Sequence, residues 1–356
     1  MEFSKSKKNF VIIDGYGFVF RAFFSLKDLK TPEGLPIGAV YGFINMVLKL
    51  YSSLKIDYII LVFDSGKKSF RSDIYPEYKA NRSAAPDDLI PQFSIIREAT
   101  SALNIKFIEI DGFEADDLIG AYAKKASEED FFVTVVTSDK DLMQLVKDES
   151  VQVYDPIKNK SIKEADVFER YGVKPLQIVD YLAICGDASD NIPGVAGIGE
   201  KGAVELLSKF ETLEEIYENL ESIEKPKLKN SLIKSRENAI LSKRLSSLDF
   251  NAPTESVEKF LKTDFNKNDL YDFLKKYSLN SIIAKTLPDF LASQQDLFEF
   301  PISTPTELGE TPSFKKLSPE DLFSTLKDSP EIVCDLQEDK IILTAGGISY
   351  IIECEA

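Results

Sequence analysis

Histidine is absent from the 356 residues. The chain therefore has no imidazole general base, no Ser-His-Asp triad and no His-rich zinc site. Cysteine is scarce: Cys185, Cys334 and Cys354 are odd in number and widely spaced, which excludes a metal knuckle, argues against a disulfide framework and leaves them as small apolar residues. No apolar run approaches the roughly 20 residues that span a bilayer, and no secretory apolar stretch follows the lysine-bearing N-terminus. A cytoplasmic protein with no membrane partner is expected. Positive charge is in the minority, with 43 Lys and Arg against 59 Asp and Glu and a net charge of −16. At first sight that balance argues against a nucleic-acid partner. Any metal must be held by oxygen, and a purely carboxylate site selects hard cations, Mg²⁺ or Mn²⁺ before zinc.

Three continuous apolar runs are each followed by an acid. Phe10 to Ile13 stops at Asp14-Gly15, Tyr58 to Phe63 stops at Asp64-Ser65-Gly66, and Phe131 to Val136 leads into Thr137-Ser138-Asp139. Such runs read as parallel strands buried on both faces. Between them, Val40, Phe43, Ile44, Val47, Leu48 and Tyr51 recur at helical spacing, as do Leu118, Ile119, Tyr122, Ala123 and Ala126. Alternating strand and helix predicts an α/β fold with a central, mainly parallel sheet and flanking helices. Ligands of such sheets bind beyond the carboxyl ends of the strands, where Asp14, Asp64 and Asp139 would project.

A shorter strand, Ile105 to Ile110, leads through Asp111-Gly112 to Glu114, Asp116 and Asp117 at a helix entrance. Acids are favoured at helix N-termini, and capping alone would account for one or two of them. Three there, beside three strand-end aspartates and Asp141, form a concentration of charge that would repel itself without a cation. The reading as a metal site stands against that of a solvated acidic face.

Two other segments bear on a polyanionic substrate. From Pro175 to Ile184 a helix approaches Gly186, Asp187 and Asp190, and a glycine-rich turn with Gly194, Gly197, Gly199 and Gly202 leads into a second helix near Lys201. This is a helix-hairpin-helix pattern, in which glycines let backbone approach a phosphate and amides at the helix start favour an anion. An ordinary helix connector has the same appearance. Residues 65–96 are locally basic, with Lys67, Lys68, Arg71, Lys79 and Arg82 interleaved with Tyr75 and Tyr78. Basic groups with aromatics hold phosphates and stack on unpaired bases, although a charged surface loop reads similarly.

Five ordered runs carry a resemblance: Val-Ile-Ile-Asp-Gly at 11–15, Tyr-Lys-Ala-Asn-Arg at 78–82, Gly-Phe-Glu-Ala-Asp-Asp at 112–117, Thr-Ser-Asp-Lys-Asp at 137–141, and Gly-Asp-Ala-Ser-Asp-Asn-Ile-Pro-Gly-Val at 186–195. Over roughly residues 8–290 the chain resembles the 5′-nuclease (5′-to-3′ exonuclease) domain of bacterial DNA polymerase I, related to the flap endonucleases. The resemblance implies an α/β core over 1–174 with a helical arch or clamp at about 65–100, and a helix-hairpin-helix region over 175–290. It implies one metal site at Asp14, Asp64, Glu114, Asp116 and Asp117, and a second at Asp139, Asp141, Asp187 and Asp190. Arg21, Arg71, Lys79 and Arg82 would lie near the scissile phosphate and Tyr78 against the substrate. Gly194, Gly197, Gly199, Lys201 and Gly202 would grip duplex DNA, often with a bound K⁺. The implied activity is two-metal hydrolysis of DNA at 5′ ends, flaps or nicks, with RNA primers as further substrates, in replication and repair; a monomer is the default expectation.

Residues 291–317 have linker composition, and 318–356 read as a short α+β tail with a helix opening at Ser318-Pro319-Glu320 and strands at Glu331–Asp335, Lys340–Thr344 and Ile348–Ile352. In polymerase I the tail would begin a proofreading-exonuclease-like domain with an Asp-x-Glu pair, but Asp335-Leu336-Gln337 carries glutamine there. Either a stand-alone nuclease or a piece of a longer polymerase fits. The rival functions are a metal-carboxylate RNase or phosphatase, and a branched-DNA-binding module that does not cut.

Overall fold

Six strands make one sheet: β1 (Asn9–Asp14), β2 (Tyr58–Val62), β3 (Lys106–Ile108), β4 (Phe132–Val136), β5 (Val151–Asp155) and β6 (Lys160–Ile162), in the spatial order β3-β2-β1-β4-β5-β6. All neighbours are parallel except β5 and β6, so the expected mainly parallel sheet is present. The computed structural model describes residues 7–288 and 290 and, beyond them, three tail strands.

The central strand explains its own composition. Phe10, Val11, Ile12 and Ile13 are all 0% exposed. Phe10 and Ile12 pack on the face covered by α5 (Ala115–Glu128), and Val11 and Ile13 on the face covered by α1 (Gly15–Ser25), α2 (Gly38–Ser53) and α4 (Ile90–Ala102). A strand buried on both faces has no use for the polar alternation of a half-wet one. Strand order reverses at β1, so the crevice at its carboxyl end, between β2 and β4, is where a doubly covered sheet places a ligand.

Helix α1 was not signalled by periodicity, because its aromatics and two glycines blur the apolar stripe. It starts at once after β1, and Asp14 caps it by accepting from the Gly17 N–H at 3.1 Å. The expected arch differs in form. It holds the five-residue α3 (Phe70–Ile74), after which 75–89 run as turns until α4 begins. Pro76 and Pro86 disfavour helical geometry in the residues before them and remove two donors, which breaks the segment.

After the sheet come α6 (Glu164–Tyr171), α7 (Ile178–Cys185), α8 (Glu200–Leu207), α9 (Leu213–Glu218), α10 (Pro226–Lys234), α11 (Arg236–Ser246), α12 (Lys267–Lys276) and α13 (Asn280–Thr286). Helices α7 and α8 flank the glycine-rich turn. Gly194 holds φ +62°, and a Cβ there would lie 2.5 Å from the Gly186 nitrogen, so only glycine lets the turn close. Among the described residues no helix is long and apolar enough to cross a membrane.

The chain divides into two units, Met1–Ser293 and Gln294–Ala356. In the second, Ile332–Gln337, Lys340–Ala345 and Ile348–Glu353 form an antiparallel meander, within two residues of the expected strand bounds. The expected linker and the helix at Ser318 lie outside the described residues.

One buried contact joins two helices of the first unit. No side chain caps α2 at Ile37, and its orphan amides are met by Gln92 of α4, whose Oε1 accepts from Ala39 at 2.8 Å and Val40 at 3.3 Å. Gln92→Leu strands those donors and is expected to lower the unfolding free energy by about 1–3 kcal/mol. Urea denaturation measures this, and an unchanged midpoint would show that the contact is dispensable.

Candidate metal centre

The loops after β1, β2 and β4 and the head of α5 converge on one cleft of about 400 Å³, lined by Asp14, Asp64, Asp116 and Asp139 together with Lys79 and Arg82. Asp14 ends β1 and accepts from the Thr137 hydroxyl at 2.9 Å as well as from Gly17. Asp64 follows β2 and accepts from the Ala115 N–H at 2.8 Å, which fixes it against the start of α5. Asp139 hangs on the same threonine, donating its N–H to Thr137 Oγ1 at 3.0 Å, and accepts from the Asp141 N–H at 2.9 Å. Thr137 thus orients acids from two strands.

A second group adjoins the first. Asp141, Asp187 and Asp190 each offer a carboxylate oxygen, and these oxygens all lie within 4.8 Å of one another. Asp187 and Asp190 come from the loop after α7, held by paired backbone hydrogen bonds between Asp187 and Ile192. Asp139 stands between the groups, its charge acting on Asp14 and Asp116 on one side and on Asp141 on the other. The resemblance placed it with the second group only. The structure makes it a neighbour of both.

The electrostatics follow from crowding. Burial, with repulsion from Asp139 and Asp64, pushes the Asp14 carboxyl up to about 6 against its two hydrogen bonds. Burial, then Asp139, Asp190 and Asp187, push Asp141 up to about 7. Asp116 is raised well above the ordinary carboxylate range by burial and then Asp139, and Asp64 is raised chiefly by burial. Two acids go the other way. Burial opposes ionisation of Glu114, but Lys79 and Arg71 bring it below the usual range; Lys140 at 2.9 Å and Ser189 do the same for Asp187.

The cations are already engaged. Lys79 Nζ meets Glu114 at 2.5 Å, while Arg82 pairs with Asp190. Burial opposes the charge on Lys79, yet Glu114 and its other neighbours leave it more basic than an ordinary lysine. Lys79 adopts a left-handed φ of 57°, unusual for a side chain of this size, with its N–H donated to the Asp190 carbonyl at 3.0 Å. Tyr78 is 8% exposed and its hydroxyl reaches Glu114 at 3.2 Å and Asp190 at 3.4 Å, so it packs behind the cleft and does not face the opening.

Other expected residues lie elsewhere. Arg21 is exposed on α1 and is not among the residues lining the cleft. Arg71 is 2% exposed, and Asp117, at 0%, is bound to it through both oxygens, so neither presents itself to the cleft. Gly197, Gly199 and Lys201 are exposed on the turn and at the start of α8, whereas Gly194 and Gly202 pack inward. Residues missed in the sequence are Thr137, Ser69, which donates to Glu114 at 2.5 Å, and Lys140. So is the aromatic wall of Tyr16, Phe20 and Phe93 in the cleft, whose rings sit 5.5–6.3 Å apart. Lys140 stood in plain view between Asp139 and Asp141. A hydroxyl or ring gives no such local signal.

The donor set fits hard divalent cations. It is all oxygen, several acids are strained towards the protonated form, and Asp141 Oδ1 is buried with no hydrogen-bond partner among the described residues.

Comparisons with known proteins give the family of the chain. A family model described as the 5′-3′ exonuclease N-terminal resolvase-like domain matches residues 9–172, and one described as the 5′-3′ exonuclease C-terminal SAM fold matches 173–268. The chain is 41% identical over 287 residues to DNA polymerase I of Rhizobium leguminosarum, covering 78% of this chain and 28% of that protein. It is 35% identical over 297 residues to DNA polymerase I of Bacillus subtilis strain 168, covering 82% and 33%. The chain therefore spans about a third of the length of these relatives. Its fold is similar to that of T5 5′-exonuclease with bound zinc, at a TM-score of 0.58 and 24% identity over 75% of this chain and 99% of that one. A T5 flap endonuclease in a complex with DNA and metal ions gives the same TM-score of 0.58 and 24% identity over 75% and 98%. Since the two models follow one another in order and divide residues 9–268 between them, the chain belongs to the 5′-3′ exonuclease family.

Proposed function

We propose that this chain hydrolyses phosphodiester bonds of DNA at 5′ ends, flaps and nicks, using two divalent cations, Mg²⁺ or Mn²⁺, at the carboxylate centre. The observation that carries the reading is Asp139 standing between two carboxylate groups, with Lys79 and Arg82 in the same cleft. In the longer protein implied by the relatives, the activity serves replication and repair beside a polymerase domain.

Asp14, Asp64 and Asp116 would hold one cation and Asp141, Asp187 and Asp190 the other, with Asp139 shared and Glu114 supporting the first through its contact with Lys79. When bound, the cations supply a water nucleophile at neutral pH and charge stabilisation at the attacking and leaving oxygens. The chain's own residues do the rest. Arg82, paired with Asp190, would become available to the phosphate once a cation takes over that carboxylate, while Lys79, held by Glu114, lines the cleft beside it. Thr137 keeps Asp14 and Asp139 pointed at the cleft. The turn carrying Gly197, Gly199 and Lys201 takes duplex backbone, with K⁺ as its counter-ion, and Arg21 extends the positive rim. Contacts to phosphate leave the sugar largely unread, so RNA primers fall within the substrate class. One chain supplies the whole cleft, so a cytoplasmic monomer suffices.

The direct test incubates the protein with a labelled 5′-flap duplex, in Mg²⁺ and in EDTA. Cleavage in Mg²⁺ alone is expected, and an intact flap at high enzyme concentration would reject the catalytic reading. Asp139→Ala should lower single-turnover cleavage on the order of a hundredfold or more while changing duplex affinity by less than about threefold. Lys201→Ala should do the reverse, weakening duplex binding and sparing cleavage at saturating enzyme. Similar losses of both quantities in both variants would contradict the assignment.

The raised carboxyls also fix a pH dependence. In the metal-free protein, Asp14 at about 6 and Asp141 at about 7 bind more protons folded than unfolded, so they lower stability as pH rises from their unfolded values through these folded ones. Glu114 and Asp187 are lowered and act only at more acid pH. In EDTA the thermal midpoint should therefore fall between about pH 5.5 and about pH 8, and added Mg²⁺ should raise it more at the higher value. A metal effect independent of pH would speak against these acids as ligands.

A further inference from the structure

We propose that Asp117 is a positioning residue and not a metal ligand: its two-pronged pairing with Arg71 sets the register of the segment bearing Lys79 against the helix bearing Asp116. The inference rests on the function proposed above.

Asp116 and Asp117 are adjacent at the head of α5, and neighbours on a helix point about 100° apart. Asp116 lines the cleft and Asp117 does not. The oxygens of Asp117 are saturated: Oδ2 accepts from Arg71 Nη1 at 2.7 Å and the Glu114 N–H at 3.3 Å, Oδ1 from Arg71 Nη2 at 2.7 Å and the Asp249 N–H at 2.8 Å. Asp141, by contrast, keeps an oxygen with no partner among the described residues. A carboxylate with four donors and a guanidinium against it has neither a free lone pair nor unbalanced charge to offer a cation.

Arg71 is equally committed. Besides Asp117 it donates Nε to the Leu245 carbonyl at 2.8 Å and Nη2 to the Ser247 carbonyl at 2.7 Å. The pair therefore joins three pieces of chain: α3, the head of α5, and the end of α11 with the residues that follow it. Arg71 anchors the piece that continues to Lys79, through backbone bonds from Tyr75 to Arg71 and from Tyr78 to Tyr75, each 2.9 Å. Ser69, Tyr78 and Lys79 then reach Glu114 from the same piece. A planar fork on a carboxylate fixes orientation as well as distance, which a lysine could not do.

The test uses the full chain and three variants, Arg71→Lys, Asp117→Asn and Asp116→Asn, with thermal unfolding to confirm the fold. Mn²⁺ binding is measured by calorimetry without DNA, and cleavage of a 5′-flap duplex under single turnover at saturating enzyme. Asp116→Asn is expected to weaken Mn²⁺ binding by about tenfold or more, whereas Asp117→Asn and Arg71→Lys leave it within about twofold yet slow cleavage about tenfold. In a Lys79→Ala background the further loss from Arg71→Lys should shrink to within about twofold, since the pair acts through Lys79. Weakening of Mn²⁺ binding in Asp117→Asn to match Asp116→Asn would make Asp117 a ligand and overturn the proposal. Unchanged cleavage in Arg71→Lys, or a full additive loss in the Lys79→Ala background, would overturn it as well. Should Asp117→Asn fail to fold, Arg71→Lys carries both readouts. A wild-type chain that binds Mn²⁺ but cuts no flap would sink the proposed function while the Mn²⁺ comparison still decides the status of Asp117.

Discussion

Carboxylates brought together away from water repel one another, and the repulsion grows as the surroundings become less polar. At the carboxyl ends of β1, β2 and β4 the chain does this with Asp14, Asp64, Asp116, Asp139 and Asp141, and much of the surrounding structure answers that strain. Thr137 and Gly17 donate to Asp14, Ala115 donates to Asp64, and Lys140 lies against Asp187. The upward shifts that remain at Asp14, Asp116 and Asp141 come first from burial and then from the mutual repulsion these contacts leave unrelieved. A pair of divalent cations would remove it, and this is why the centre is read as a metal site and not as a wet acidic edge.

The same constraint reconciles a net charge of −16 with a polyanionic substrate. Net charge averages over the whole surface, whereas approach to the cleft is governed by charge within a Debye length of it. There the acids are buried and paired, and Lys79, Arg82 and Lys140 stand at the edge. A cation entering the second carboxylate group would release Arg82 from Asp190, which couples binding metal to becoming receptive to phosphate.

Chemically identical side chains have different parts here because of what faces them. Asp116 and Asp117 share a helix turn, yet one opens on the cleft and the other closes on Arg71. Arg71 and Arg82 come from one basic stretch, but Arg71 is buried among acceptors and Arg82 is half exposed beside Asp190. A run of acids or bases in the chain sets which charges are available, and packing assigns them.

Much of the sheet and of the acid cluster was legible beforehand. The runs at Phe10, Tyr58 and Phe131 had to be strands buried on both sides, and a parallel sheet puts their trailing aspartates at one edge, so convergence of Asp14, Asp64 and Asp139 followed from periodicity alone. The absence of histidine and the scatter of cysteine likewise determined that any metal would be held by oxygen. Helix α1 was hidden by its glycines and aromatics, and within the arch expected at about 65–100 the helices are confined to α3 and α4, with Pro76 and Pro86 in the turns between them. What only the tertiary structure decided was allocation: Asp139 between two groups, Asp117 locked to Arg71, Tyr78 behind the cleft, and Thr137 serving acids from two strands. These depend on which side chains meet across separations of up to 123 residues, as Thr137 and Asp14 do, and a linear pattern records the kinds of residue present but not which of them meet.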